Sequence, residues 1–424
     1  MKNAPNPFVI SRFSCFRVTA PGARFLMPGL SHATRAGCAL AALVTVLLAA
    51  CAPAPGGGVE AQPTATLRPC VYLYSRPRVD PTRMCPEIVL NALETRGVAP
   101  IGSIAFDPEG VLYVARPADG AVIALADADG DGAMDAPRTL ADGLDTPYGL
   151  AYHDGALYAT GAGSVYRLRD ADGDGRAEAT AVLVDDLPAG AGYWTNSVGV
   201  GPDGRLYVSQ GASCEACVED DPRRGAILSF APDGGDAQIV ASGLHNPIDF
   251  DWHPATGALW ATESSRFISG DEDAPPDELN HIVRGAHYGW PFCYGDRQVD
   301  SAVPGATASF CDTTTGPALT FPARAAPAGM AFYPTDVDAF PEMQGHLLVV
   351  TRGSWNRARI TGYELLLVKF DASGAPTGEV ERLLPHGPEE TWRLSEIDVG
   401  FYRSTRLTWR SARRGGFTLR CRRG

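Results

Sequence analysis

The sequence is short of positive charge. Its formal net charge is −13 over 424 residues. A phosphate-binding surface needs clustered Lys and Arg, so nucleic acid is not expected as a partner. The acidity is scattered through turns, as on a solvated surface. Helical periodicity is missing from every long window, which makes α/β folds poor candidates. The apolar run at Ala36–Ala50 falls short of the roughly 20 residues that a spanning helix needs. The pair Cys214 and Cys217, in CEAC, has neither a second such pair nor a nearby His, so a zinc site is the weaker reading of it.

Cysteine, by contrast, is plentiful. Ten residues are many for a reducing compartment. Cys70 and Cys85 flank one short loop, Cys214 and Cys217 lie three apart, and Cys293 and Cys311 bracket another loop. This paired spacing predicts disulfides in an oxidising space. The N-terminus agrees. Arg35 precedes the apolar run, which ends Leu48-Ala49-Ala50-Cys51 and suits a signal peptide. The small residues before Cys51 match a bacterial lipobox, with Cys51 as the lipidated residue. The expected protein is therefore exported and held at a membrane, facing the periplasm or the exterior. The signal follows an unusual polar and mixed stretch, so Met27 is the expected true start. Residues 51–68 read as a flexible tether, having nothing to bury.

The body repeats one unit. SIAFDPEGVLYVAR starts at Ser103, GLAYHDGALYATG at Gly149 and SVGVGPDGRLYVSQG at Ser197. Further copies start at Asp249 and Gly329, and a weak one lies near Ser395. Each copy is an alternating apolar strand, a turn of Gly, Pro or Asp, and a second strand. This pattern predicts an all-β chain, a six-bladed β-propeller over residues 69–400. Past Asp398 no acidic residue occurs and Arg crowds the end. Residues 401–424 therefore read as an aberrant basic tail, through a frameshift or as a basic anchor, and the last blade is expected to be incomplete.

Three regions could carry chemistry. Asp127, Asp129 and Asp131 alternate in one loop, and Asp170, Asp172 and Asp174 do so in a matching one. Such oxygen sets can hold Ca²⁺, although equivalent acidic hairpin turns of a repeat would look the same. Tyr193 and Trp194 precede the third repeat, where an entering loop faces a propeller's channel and an aromatic pair can stack on a flat ligand. The stretch Gly243–Asp296 holds an acidic, proline-broken loop that is too long for a plain hairpin.

Together these stretches resemble the glucose/sorbosone dehydrogenase family, six-bladed propellers that use pyrroloquinoline quinone (PQQ). The resemblance covers roughly residues 90–400 and rests on GPDGRLYVSQGASCEAC with EDDPRR, GLHNP, PPDELNHIVRGAHYGWPFCYGD and GSWNRARITGY. CEAC and FCYGD point to its sorbosone-dehydrogenase-like branch. The resemblance implies a His eight residues before the Gly of GPDG as general base; here that position is Tyr193. A free Tyr titrates well above a free His, a gap of about 4–5 kcal/mol in available base at neutral pH unless a cation lowers it. The family's cofactor-binding Arg-Asn-Pro reads His245-Asn246-Pro247, which carries Asn246 over and leaves His245 as a displaced base. Its calcium-site acids and Tyr correspond to Asp277, Glu278 and Tyr288, and a cofactor-holding cation to Arg352. Its late Arg residues have no match near Ser395.

The implied function is PQQ-dependent oxidation of an aldose or sorbosone-like sugar, with PQQ and calcium as cofactors and the electron acceptor left open. The alternative is a propeller lipoprotein that has lost catalysis and binds a ligand or partner.

Overall fold

The computed structural model describes residues 84–88, 102–128, 134–190, 192–268, 273–337, 340–353, 357–359, 361–384, 399–402, 406–411 and 415–421. For 84–88 and 399–421 only the strand pairing is described. The chain divides into two units, residues 17–69 and the remainder. The leader, Met27, Cys51, the tether, Cys70, Asp129 and Asp131 all lie outside the described residues, as does the side chain of Cys85.

Each repeat supplies the first two strands of a sheet. Local chemistry explains the turns. Between Leu150–His153 and Ala156–Thr160, Asp154 and Gly155 both take positive φ, 46° and 70°. That pair of angles is the two-residue hairpin turn whose twist matches antiparallel strands. The second strand, Ala156–Thr160, is buried along its whole length, as are Leu206–Gln210 and Leu259–Glu263. Such strands have neighbours on both faces.

Six four-stranded antiparallel sheets result among the described residues, with a two-stranded one beside them. Five of the six keep chain order across the sheet. Their first strands are Ile104–Phe106, Leu150–His153, Val198–Val200, Pro247–Trp252 and Pro327–Phe332. The sixth runs outward from Val399–Tyr402 through Arg406–Ser411 and Gly415–Cys421 to Met84–Ile88. Four strands stand there, which corrects the expectation of an incomplete last sheet. Residues of the expected basic tail supply two of them, and an early segment the outermost.

Successive sheets touch all the way round, mostly through their first strands: the third meets the fourth through Leu206–Gln210 against Pro247–Trp252, and Val399–Tyr402 meets Ile104–Phe106 to close the circle. The arrangement is propeller-like. Its apolar core is divided between sheets: Leu144, Leu157 and Leu168 pack between the first and second, Leu206, Leu228 and Phe230 between the second and third. Acids of the fourth sheet add polar stitches. Asp249 accepts from Ser197 Oγ of the third sheet at 2.7 Å and from Met330 N of the fifth at 2.8 Å. Asp251 accepts from Phe332 N at 2.8 Å, and burial lifts its carboxyl to about 6.

Within the fourth sheet the chain loops out between Asp277–Ile282 and Leu319–Phe321. That excursion carries the two-stranded ladder Cys293–Tyr294 with Gln298–Val299 and the short helix Ala308–Cys311, tied by the Cys293–Cys311 disulfide. Cys214 and Cys217 are also bonded. A disulfide removes the thiolates a metal would need, so the zinc reading of CEAC falls.

Candidate active site

A cavity of about 360 Å³ opens at the end of the ring where the first strands begin. Segments leading into the second, third, fourth and fifth sheets build its wall, supplying Tyr148, Tyr193, Trp194, Asn246 and Arg324; Arg352 comes from just past the strand Leu347–Thr351. Trp194 remains 41% exposed and meets the Tyr148 ring edge-on at 5.5 Å. Arg324 is buried, at a positive φ of 59°, with its guanidinium 4.9 Å from the Phe267 ring centroid. Asn246 is 5% exposed, and its Oδ1 makes no hydrogen bond. An unpaired buried oxygen costs roughly 1–3 kcal/mol, so this atom is poised for a donor from a bound molecule. Of the residues singled out in sequence, Tyr193, Trp194, Asn246 and Arg352 come together here.

Tyr193 does not stand as a free base. Its hydroxyl donates to Glu215 Oε1 at 2.5 Å. Burial, that bond and the Glu215 charge hold the phenol well above its ordinary range, with Arg352 pulling the other way. His245 is not the displaced base either. It is 1% exposed and faces a different, smaller cavity. Its Nδ1 lies 2.9 Å from the Ser264 carbonyl, which can only accept, so Nδ1 carries the proton. Nε2 makes no hydrogen bond and sits 3.6 Å from Glu215 Oε2. Burial lowers the imidazole's proton affinity.

The smaller cavity, about 10 Å³, has room for one water-sized or ion-sized sphere. His245, Glu263, Glu278 and the buried ion pair Arg266–Asp300 are on its wall. Here the expected acid pair is corrected. Asp277 and Glu278 are neighbours on one strand, and successive side chains face opposite ways. Asp277 accepts from Ser265 N and Ala326 N with its two oxygens, fixing loops rather than facing this cavity. The true companion of Glu278 is Glu263, its cross-strand partner. Asn280 Nδ2 reaches both, at 3.2 Å to Glu263 and 3.0 Å to Glu278. Burial lifts Glu278 to about 7 and raises Glu263 as well, with the charge of Glu278 adding to the effect on Glu263. Tyr288 reaches this cavity, but its hydroxyl is spent donating to the His281 carbonyl and accepting from Val283 N at 2.9 Å. The phenol is therefore no ligand.

Asp170, Asp172, Asp174 and Glu178 bring carboxylate oxygens within 4.8 Å of one another, mostly exposed. Those oxygens accept from the loop's own amides, Gly173 N and Gly175 N to Asp170 and Ala171 N to Glu178, which is what an acidic turn does without an ion. Of the matching loop, Asp127 lies among the described residues.

Sequence reasoning missed Glu215, Glu263, Arg324 and the Arg266–Asp300 pair. Glu263 was findable: it closes the alternating run ALWATE, so its register opposite the Asp-Glu strand was implicit. Glu215 was hidden inside CEAC, where the cysteines drew attention.

A family model described as Glucose / Sorbosone dehydrogenase matches residues 151–365. A curated protein of Borreliella burgdorferi, itself uncharacterised, is 31% identical over 159 residues. That match spans 37% of this chain and 41% of that relative's length. Among solved structures, a carbohydrate-active enzyme of family AA12 from Trichoderma reesei superposes with a TM-score of 0.67 at 21% identity, over 81% of this chain and 97% of that one. The holo PQQ domain of a pyranose dehydrogenase from Coprinopsis cinerea gives 0.67 at 19% identity, over 81% and 96%. The PQQ-bound aldose sugar dehydrogenase of Streptomyces coelicolor gives 0.57 at 18% identity, over 81% and 100%. At these identities the superpositions speak for the fold.

Proposed function

The chain belongs to the glucose/sorbosone dehydrogenase family, and from that premise we propose that it oxidises an aldose or sorbosone-like sugar with PQQ as cofactor. One observation carries the reading. The 360 Å³ cavity combines an unpartnered buried amide oxygen, two arginines and two aromatic rings. PQQ is a flat tricarboxylate with a ring N–H, and each feature has a counterpart in that wall. Arg324 and Arg352 would pair with carboxylates, Trp194 and Tyr148 would flank the ring plane, and Asn246 Oδ1 would accept a hydrogen bond. When bound, the quinone accepts the hydride that leaves the sugar carbon. The protein's own part is to orient the sugar at the cavity mouth, exclude water and take the hydroxyl proton.

Calcium belongs to the same reading. Glu263 and Glu278 offer facing carboxylates beside an ion-sized space, a hard-oxygen set suited to Ca²⁺. The six sheets would be six blades, and the protein an exported lipoprotein anchored through Cys51, passing electrons to an external acceptor. Reconstitution with PQQ and Ca²⁺, followed by dye reduction across a panel of aldoses, tests the activity. No sugar-dependent reduction would defeat it.

A lapsed binder is the second reading, and the state of Tyr193 favours it: a phenol that holds its proton this firmly is a poor base alone. PQQ bound tightly but never bleached by sugar would be its signature.

A further inference from the structure

We propose that Glu215 takes up, through the Tyr193 hydroxyl, the proton that the sugar hydroxyl loses during oxidation. This rests on the dehydrogenase reading above. Tyr193 links the two: it lines the large cavity, and its hydroxyl donates to Glu215 Oε1 at 2.5 Å. The rest of Glu215 is fixed in place. Oε2 accepts from Phe267 N at 2.7 Å, and the backbone carbonyl accepts from Trp290 Nε1 at 2.9 Å. The Cys214–Cys217 disulfide closes the turn around it. A carboxylate held this way by an amide and a phenol has one geometry in which to receive a proton.

The step balances without a free tyrosinate. As the sugar C–H bond breaks and its hydride passes to the quinone, the O–H bond becomes acidic. Its proton moves to the Tyr193 oxygen while the phenolic proton moves to Glu215 Oε1, and the sugar carbon becomes a carbonyl. Tyr193 ends neutral, as it began, and Glu215 ends protonated. The Glu215 side chain is 41% exposed, so that proton can pass to solvent between turnovers. Glu215 acts through Tyr193 and is therefore a positioning residue that also stores the proton. The charged or titratable groups acting on Tyr193 are Glu215 and Arg352, with the His245 ring 4.5 Å away.

Two measurements test this. In the PQQ-loaded protein, Glu215→Gln keeps the shape and the acceptor oxygen but cannot take a proton. It should cut kcat by about 100-fold or more while KM and PQQ affinity stay within about threefold. Glu215→Asp should recover part of the loss. Tyr193→Phe should match Glu215→Gln, and the double variant should be no worse than either, since a relay fails at its first break. Retained kcat in Glu215→Gln, or equal loss of PQQ affinity, overturns the relay. The second measurement needs no cofactor. Phenolate absorbance in the apo protein, with Tyr193→Phe as blank, should show Tyr193 titrating at least about one pH unit lower in Glu215→Gln. Wild-type protein that binds PQQ but oxidises no aldose would sink the dehydrogenase reading by itself. The apo titration then judges the coupling: the same titration in both proteins overturns it, and a downward shift sustains it.

Discussion

Glu263 and Glu278 stand directly opposite each other on adjacent antiparallel strands, and one amide, Asn280 Nδ2, donates to both. Like charges facing across a ladder destabilise it unless a proton or a cation intervenes. Their folded proton affinities are raised, so folding favours the protonated forms.

The sign of the consequence is fixed. The stabilising protons are present at pH 5 and are lost as pH rises through about 7, where Glu278 titrates. Without metal, the melting temperature should fall between pH 5.5 and 8, and Glu278→Gln should flatten that fall. Calcium should restore stability most strongly at the alkaline end, where Glu278 is ionised. Melting curves with chelator and with added Ca²⁺ check both parts. A calcium effect independent of pH would remove the ion from this site.

Asn246 offers a contrasting test. Its Oδ1 has no partner, so Asn246→Ala breaks no bond at that atom. The melting temperature should change by no more than about 2 °C, a fraction of a kcal/mol. PQQ affinity should drop about tenfold, or about 1.4 kcal/mol. Fluorescence titration with PQQ and a thermal melt measure the pair. Lost stability with unchanged affinity would make Asn246 a scaffold residue.

The excursion in the fourth sheet depends on Cys293–Cys311, which closes a loop of sequence separation 18. Chain entropy values such a closure at about 3 kcal/mol. Cys293→Ser should lower the melting temperature by several degrees and should speed proteolysis between residues 293 and 311. Digestion followed by mass spectrometry locates the cut. Wild-type resistance in the variant would mean that packing alone holds the excursion.

On the proposed lipid anchor, Cys51→Ala should move the protein from the membrane fraction to the soluble one, because each buried acyl CH₂ would contribute about 0.8 kcal/mol to anchoring. Fractionation with immunodetection decides it. Unchanged membrane association would point to an anchor other than lipid.

Much of the fold was legible because its unit is local. Copies at Ser103, Gly149 and Ser197 each carry a complete strand-turn-strand signal, and their first strands fall where the copies begin. Trp194 stood out because it lies in a loop entering a repeat, whereas Asn246 and Arg352 were singled out only through the family resemblance; all three line the cavity. What escaped was whatever depends on pairing across strands or on burial. Asp277 and Glu278 look like a chelating pair in one dimension, but the pleat turns them apart and pairs Glu278 with Glu263. His245 is a plausible base by sequence alone, yet burial and the Ser264 carbonyl commit it elsewhere. The closing strand Met84–Ile88 gave no signal, since its partner lies at the far end of the chain.

That pairing has a bearing on biosynthesis. Sheets one to five take their strands in chain order, so each can assemble as its four strands emerge from the ribosome. The sixth draws Met84–Ile88 from the beginning and Gly415–Cys421 from the end. An early strand must therefore wait with an unsatisfied edge through synthesis of nearly the whole body. The ring is latched by Gly415–Cys421, and a ribosome stalled before Gly415 would hold five sheets with no closure.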